Sequence, residues 1–468
     1  MKYFPTIGLE VHAELNTKSK MFCGCTNAPH ATQVNANVCP VCLAHPGTLP
    51  VPNKEAIEMV LRFGQAVGAT KADFSEFDRK NYFYPDIPKA YQISQYAFPF
   101  LTGGVLKEVE LTRVHLEEDT ARSSHENQEG SEVDFNRAGV PLMELVTEPV
   151  IHDSKTAGEF ARELQLILRT LGISDANMEK GEMRVEANIS VSADETKMSA
   201  TYVEVKNINS FKAVESAIEY EITRQIKLIE TGEALKQETR GWDENTGKTF
   251  SQRSKETAKD YRYFPDPDIP KIKTSEIPEY SERALADKVP VLPNEKRISY
   301  RNLGLTEQMI ETVISDSEID LFYSRTIELL KDEDNKIAVL AANYATVDLK
   351  AGGLIDVVDP GVFVDMLILV HSGEVGSRGA KDLLPKLANY AGSVLELAKS
   401  EGVIQNSDPE ALAVLITSIV TDNPEQVAEF KAGKETVLKY LVGQGMKLSK
   451  GAANPSVLEE LLKTEISK

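Results

Sequence analysis

The chain has 468 residues, 41% hydrophobic and 26% charged, with 72 acidic against 52 basic side chains and a formal net charge of −20. That balance describes a globular protein of two to four domains at roughly 100–200 residues each, and excludes a disordered or fibrous chain. It also excludes nucleic-acid binding by the whole surface, while leaving room for a local basic patch or for carboxylates gathered around metal ions. The N-terminal residues lack the apolar stretch of a secretory signal, and the most apolar window, 411–420, is far shorter than the ~20 residues that cross a bilayer. A cytoplasmic protein without membrane contact is expected.

Near the N-terminus, Glu10 and His12 flank Val11. In an extended segment, residues two apart project from one face, so a carboxylate and an imidazole there can reach one ion. Cys23, Cys25, Cys39 and Cys42 follow as C-x-C and C-x-x-C, and the chain has no other cysteine. Two short-spaced thiol pairs predict a structural zinc knuckle with no open position for a catalytic water. The string 77–95 sets Tyr82, Phe83 and Tyr84 among charges before a turn, and 260–266 repeats that style. Tyrosines beside arginines can stack on bases or grip a ribose-phosphate end, or simply pack a turn.

Residues 105–116 alternate partly and predict a strand. The run His115-Leu116-Glu117-Glu118-Asp119 continues it, with His115 and Glu117 on one face and Leu116 and Glu118 on the other. Carboxylates recur at Asp134, Glu144 and Glu148, with Arg137 among them. Helical spacing over 155–171 and 213–229, stopped by Gly172 and Gly232, predicts two amphipathic helices. Between them, Glu182, Arg184, Glu186 and Asn188 alternate along one strand face, costly to bury unless it lines a site. Glu204, Lys206 and Ile208 alternate likewise; Lys206 can hold a phosphate or form an ordinary ion pair.

Converging carboxylates repel, and a hard divalent cation relieves that repulsion, so oxygen ligands with one His suit Mg²⁺ or Mn²⁺ and the chemistry of ATP. The chain contains no GxxxxGK[ST] loop and no GxGxxG in a suitable context, so ATP would lie in neither a P-loop nor a kinase fold.

Short strands mixed with helices predict an α+β first domain, 1–293, with a mixed or antiparallel sheet. Prolines at 265, 267, 270, 278, 290 and 293 mark its end. Two all-helical regions, 294–400 and 401–468, follow; Asp359-Pro360-Gly361 reads as a turn between helices of the first. The second region includes an apolar helical stretch at 411–420 and another at 426–441, and it ends in the glycine-rich string 443–455. Residues 431–468 hold seven lysines against four glutamates, a net +3 that suits phosphate contacts.

Taken together these strings resemble the B-subunit family of the tRNA-dependent amidotransferases. The matching stretches are Ile7–His12, 39–50, 77–95, Asp134–Glu144, 204–211, 237–240, 260–270 and 441–455. The resemblance implies a cradle domain, related in its active site to glutamine synthetase, that uses ATP and Mg²⁺ to phosphorylate the side-chain carboxylate of Glu-tRNA(Gln) or Asp-tRNA(Asn). Ammonia from a partner amidase A subunit would then displace the phosphate, and a small C subunit would tie the two larger ones together. By matching position it implies Glu10, His12, Glu118 and Glu144 as catalytic metal ligands, with Glu186 a further candidate. Arg137, Arg184, Lys206, Tyr82 and Tyr84 are the candidates for substrate and phosphate contacts, and the helical tail for holding tRNA. The cysteine knuckle occurs in only part of that family. Gly445 stands where relatives usually carry Val or Ile. From the residues alone a rival stays open: a non-catalytic tRNA-binding scaffold whose acidic cluster folds around a structural ion.

Overall fold

The computed structural model describes residues 2–124, 130–195, 199, 201–254, 261–330, 334–406, 408–449 and 451–467. Two compact units divide at Leu292 and Pro293. The α+β expectation holds, with strands confined to the first unit and a run of helices in the second.

In the first unit the strand Phe4–Glu14 is central to a ten-stranded sheet. It pairs antiparallel with Pro141–Thr147 on one side and Met183–Ser192 on the other. Beyond the former lies Val109–Glu118; beyond the latter lie Val203–Ile208, Glu238–Asp243 and Lys248–Ser254. Only the pairing of Val203–Ile208 with Glu238–Asp243 is parallel among these neighbours. The predicted strand at 105–116 is broken: Lys107 and Glu108 both take positive φ, making a tight hairpin between Val105–Leu106 and Val109–Glu118.

Three helices cover one sheet face. Lys54–Val67 starts at Asn53, whose side chain accepts from the Glu55 and Ala56 amides. Ser154–Thr170 and Phe211–Thr231 are capped by Asp153 and Ser210, and the chain leaves them through Gly172 and Gly232 at φ 65° and 72°. Their apolar stripes share one core with Ile7, Leu9, Val11 and Ala13, the odd-numbered residues of the first strand. The even-numbered residues Glu10, His12 and Glu14 therefore point to the opposite face.

A separate three-stranded sheet joins Asp78–Asn81 to Tyr91–Ser94 and to Phe264–Pro265, almost two hundred residues further along. Arg79 fixes that crossing: its Nε lies 2.8 Å from Asp266 and its guanidinium sits over Tyr91.

The second unit is helical throughout its described residues. Asp359-Pro360-Gly361 is not a turn between helices but a helix start: the Asp359 side chain accepts from the Gly361 and Val362 amides, and proline, which needs no donor there, opens Pro360–His371. Residues 426–441 also differ from a single helix, splitting at Gly433 into Pro424–Lys431 and Thr436–Leu448. The latter runs through Gly443 and Gly445. A Cβ on Gly445 would lie 2.3 Å from Leu458 and 3.0 Å from Ile419, so glycine here permits close packing onto neighbouring helices. Leu412, Ile416, Ile419, Leu438, Leu441, Leu458, Leu462 and Ile466 form the core of this tail. No helix among the described residues is long and apolar enough to cross a membrane.

Candidate active site

The polar face of the ten-stranded sheet is a lattice set by register. His115 lies opposite Glu144, Glu144 opposite His12, and His12 opposite Arg184, on four adjacent strands. One step along, Glu10 lies opposite Glu186; one step the other way, Glu14 and Glu117 both lie opposite Leu142. Directly opposed residues in antiparallel strands project to the same side, so these charges share one surface.

Within it, His12 Nε2 lies 3.5 Å from Glu144 Oε2, 3.5 Å from Glu117 Oε1 and 3.9 Å from Glu10 Oε1. His115 Nε2 approaches the same Glu144 oxygen at 3.2 Å. The ligand-type atoms of Glu10, His12 and Glu144 all lie within 4.8 Å of one another, as do those of His115, Glu117 and Glu144.

The crowding is electrostatically costly. Burial, then the Glu144 carboxylate, pushes Glu10 up to about 7. Burial works against a charged His12, but the hydrogen bond and charge of Glu144, with Glu117 and Glu186, reverse that and raise it to about 9. Burial also opposes ionisation of Glu144, yet His115 and His12 hold it well below the usual carboxylate range. Hard oxygens and imidazole nitrogens with an unrelieved excess of negative charge are the donor set that a divalent cation such as magnesium fits.

This floor opens into a cavity of about 640 Å³. Glu10, His115, Glu144, Arg113 and Lys206 line it from the sheet, and Lys80, Tyr82, Tyr84, Tyr96, Tyr261 and Tyr263 from the other side. The tyrosines form a continuous aromatic wall: Tyr96 and Tyr263 stack at 4.4 Å with rings 11° apart, and Tyr82 meets Tyr84 and Tyr261 edge-on.

The other candidates are distributed differently. Glu186 joins Lys206 at 2.5 Å, and Lys206 also lies 3.5 Å from Glu204. Arg184 holds Asp119 at 3.1 Å. Arg137 donates to the Thr120 and Ala121 carbonyls beside the same aspartate, away from the cavity lining. Glu118 is not brought to the acidic floor. It projects from the opposite side of its strand, where Lys89 reaches it at 2.7 Å and the Ile93 amide donates to it at 3.0 Å. It borders a second cavity of about 270 Å³ whose wall includes Cys23, Cys42 and Gly139.

The four cysteine sulfurs converge within 4.8 Å, all as free thiols. Cys42 accepts from the Cys39 amide at 3.1 Å, and Lys20 Nζ lies 3.9 Å from its sulfur. The Cys23 thiol, then the Cys39 amide and Lys20, lower Cys42 to about 5, whereas the hydrogen bond with Cys42 pushes Cys23 up and burial pushes Cys25 up to about 11. Four converging sulfurs are a donor set that zinc fits.

His115 and Glu117 lie on this floor beside Glu144, and the set of metal ligands implied by the resemblance does not include them. The signal was present in the strand alternation, which sets His115 and Glu117 on one face and Glu118 on the other. Lys80 and Arg113 were also missed, and neither carries a local sequence signature.

The acidic floor and the aromatic wall face one another across one cavity of the α+β unit, and that unit matches a known family. The family model described as the GatB/GatE catalytic domain matches residues 5–278, and one described as the GatB domain matches 322–466. The chain is 41% identical to the aspartyl/glutamyl-tRNA(Asn/Gln) amidotransferase B subunit of Thermoanaerobacter sp. (strain X514), over the whole of both chains. It is 38% identical to the protein of the same name from Synechocystis sp., covering 98% of this chain and 97% of that one. It is 39% identical to the chloroplastic/mitochondrial glutamyl-tRNA(Gln) amidotransferase B subunit of Physcomitrium patens, covering all of this chain and 86% of that one. The chain belongs to the family of amidotransferase B subunits.

Proposed function

We propose that this chain is the B subunit of a tRNA-dependent amidotransferase and carries the ATP-dependent activation of a misacylated tRNA. The observation that carries this reading is the convergence of Glu10, His12 and Glu144, with His115 and Glu117 beside them, on one sheet face. The names of the relatives point to Glu-tRNA(Gln) and Asp-tRNA(Asn) as substrates.

A side-chain carboxylate is a poor electrophile. Its oxygen attacks the γ-phosphorus of ATP, the bond to the β-phosphate oxygen breaks, and ADP leaves. Ammonia then attacks the acyl carbon of the mixed anhydride, the carbon–oxygen bond breaks, inorganic phosphate departs, and loss of protons from nitrogen gives the amide. Glu10, His12 and Glu144 would hold magnesium, with Glu117 and His115 adjoining. When bound, magnesium supplies charge neutralisation for nucleotide phosphates. The tyrosine wall offers ring faces to the bases of the nucleotide or of the tRNA end. Ammonia would come from the A subunit, with the small C subunit completing the complex in the cytoplasm. The lysines of the tail, 401–468, would contact tRNA phosphates, and the cysteine cluster would hold a structural zinc.

The test is ADP release by the full complex given ATP, Glu-tRNA(Gln) and ammonia. ADP should form only with the misacylated tRNA, and Glu144→Gln should abolish it while tRNA binding persists. Amidation without ATP, or ADP release unaffected by Glu144→Gln, would overturn the proposal.

A further inference from the structure

The cavity holds three cationic side chains, and they are not in the same state. Lys206 is neutralised, lying between Glu186 and Glu204. Arg113 has one weak partner, Glu144 at 4.0 Å, and its buried Nε has no hydrogen-bond acceptor. Lys80 makes no ion pair or hydrogen bond among the described residues; its ammonium lies 5.2 Å from the centroid of the Tyr261 ring. It comes from the aromatic wall, on the strand Asp78–Asn81, whose register sets it opposite Gln92. Neighbouring Arg79, on the other side of that strand, is fully occupied with Asp266 and Asp268. The alternation thus commits one cation to structure and aims the next into the cavity.

Burial opposes the Lys80 charge, while the Glu117 and Glu144 carboxylates across the cavity sustain it without pairing with it, so the ammonium keeps its donors for an incoming anion. The cavity already has a negative floor, so an anion could enter only with its own cation beneath it and a positive group above. A phosphoryl group meets that description: its oxygens can face metal on one side and an ammonium on the other.

The geometry points to Lys80, assisted by Arg113, as the residue that grips the phosphoryl group in transfer and the acyl phosphate it forms. Lys206, the sequence candidate for phosphate, is left to order the strand face. The inference rests on the activation reading above and adds the group that recognises the transferred phosphate. As the P–O bond breaks, negative charge spreads over the equatorial oxygens, and an ammonium already in place stabilises it without reorganisation.

The experiment uses the full-length chain in its complex. Wild type must first release ADP in response to misacylated tRNA; failure there refutes the activation reading itself, whatever Lys80 does. Given that, Lys80→Met should lower kcat for ADP release about 100-fold or more while the KM for misacylated tRNA changes less than about threefold. Affinity for Mg·ADP with beryllium fluoride, a phosphoryl mimic, should drop at least tenfold, with affinity for Mg·ADP alone unchanged. Lys80→Arg should recover part of both losses. A kcat within threefold of wild type, or equal loss of the two nucleotide affinities, would overturn the assignment. Should Lys80→Met not fold, the same two affinities measured on Lys80→Arg and Arg113→Lys decide it: both unchanged for the beryllium fluoride complex refutes the proposal.

Discussion

Replacing Glu10 by Gln should make the metal-free protein more stable while destroying its proposed metal site. Glu10 lies in the central strand with its carboxylate facing Glu144 and Glu186, and burial followed by the Glu144 charge raises it from 4.5 to about 7. The sign follows from linkage. A carboxyl raised in the folded state favours folding below its unfolded value, and that contribution is lost as pH rises towards 7. At about 1.36 kcal/mol for each pH unit of that rise, about 3 kcal/mol of folding free energy is lost by pH 8. For a unit of 292 residues, with an unfolding entropy near 2.1 cal/mol/K per residue, that corresponds to about 5 °C. Glutamine keeps the shape and removes the charge. Thermal unfolding in EDTA should therefore show Glu10→Gln melting about 5 °C above the parent at pH 8 and level with it at pH 5. Saturating Mg²⁺ should stabilise the parent more than the variant, since an ion that binds only the folded state adds stability by mass action. A variant less stable than the parent at pH 8 without metal, or a difference independent of pH, would refute the account of a strained acidic floor.

Three further outcomes are expected. Elemental analysis should find about one zinc per chain, and Cys42→Ser or strong chelation should lower the melting temperature of the first unit; a metal-free chain of unchanged stability would deny the knuckle. Glu221 is fully buried and receives hydrogen bonds from Arg224, Gln225 and Thr249, with Arg240 at 3.7 Å. Glu221→Ala removes the acceptor these donors share, although Glu238 still pairs with Arg224 and Arg240, and should cost about 1–3 kcal/mol in urea unfolding, whereas a loss under about 1 kcal/mol would contradict it. Gly445→Ala gains about 1 kcal/mol of helix propensity but forces a Cβ against Leu458, with overpacking of about 1–3 kcal/mol. The tail should lose up to about 2 kcal/mol on balance, and a clear rise in its melting temperature would show that Leu458 moves aside freely.

Much of the site was legible because strands have a period of two. The pairs Glu10/His12 and His115/Glu117, and the run Glu182 to Asn188, can be placed on a face from spacing alone, and the register brings these faces together. Glu118 shows the opposite case. Resemblance drew attention to it as a ligand, while alternation already set it across the strand from His115, which is where Lys89 meets it. Lys80 and the tyrosine wall were not legible as a unit, because strand 78–81 meets 264–265 across almost two hundred residues and no local pattern encodes that pairing. In the helical unit, Asp359-Pro360 misled because one dipeptide serves both turns and helix starts; only the two amides that Asp359 accepts distinguish them. Gly445 stood out in the sequence only as a departure from the Val or Ile of relatives, and the close approach of Leu458 and Ile419 that it permits is visible only in the packing.

The way the charged floor is assembled limits how such a chain can change in length. Four strands each supply alternate residues to it, and their intervening residues form the hydrophobic interior. Gaining or losing a single codon inside any of them would turn that strand over from that point, carrying carboxylates into the interior and aliphatic groups onto the floor. Insertions and deletions can accumulate only in the connections between these strands.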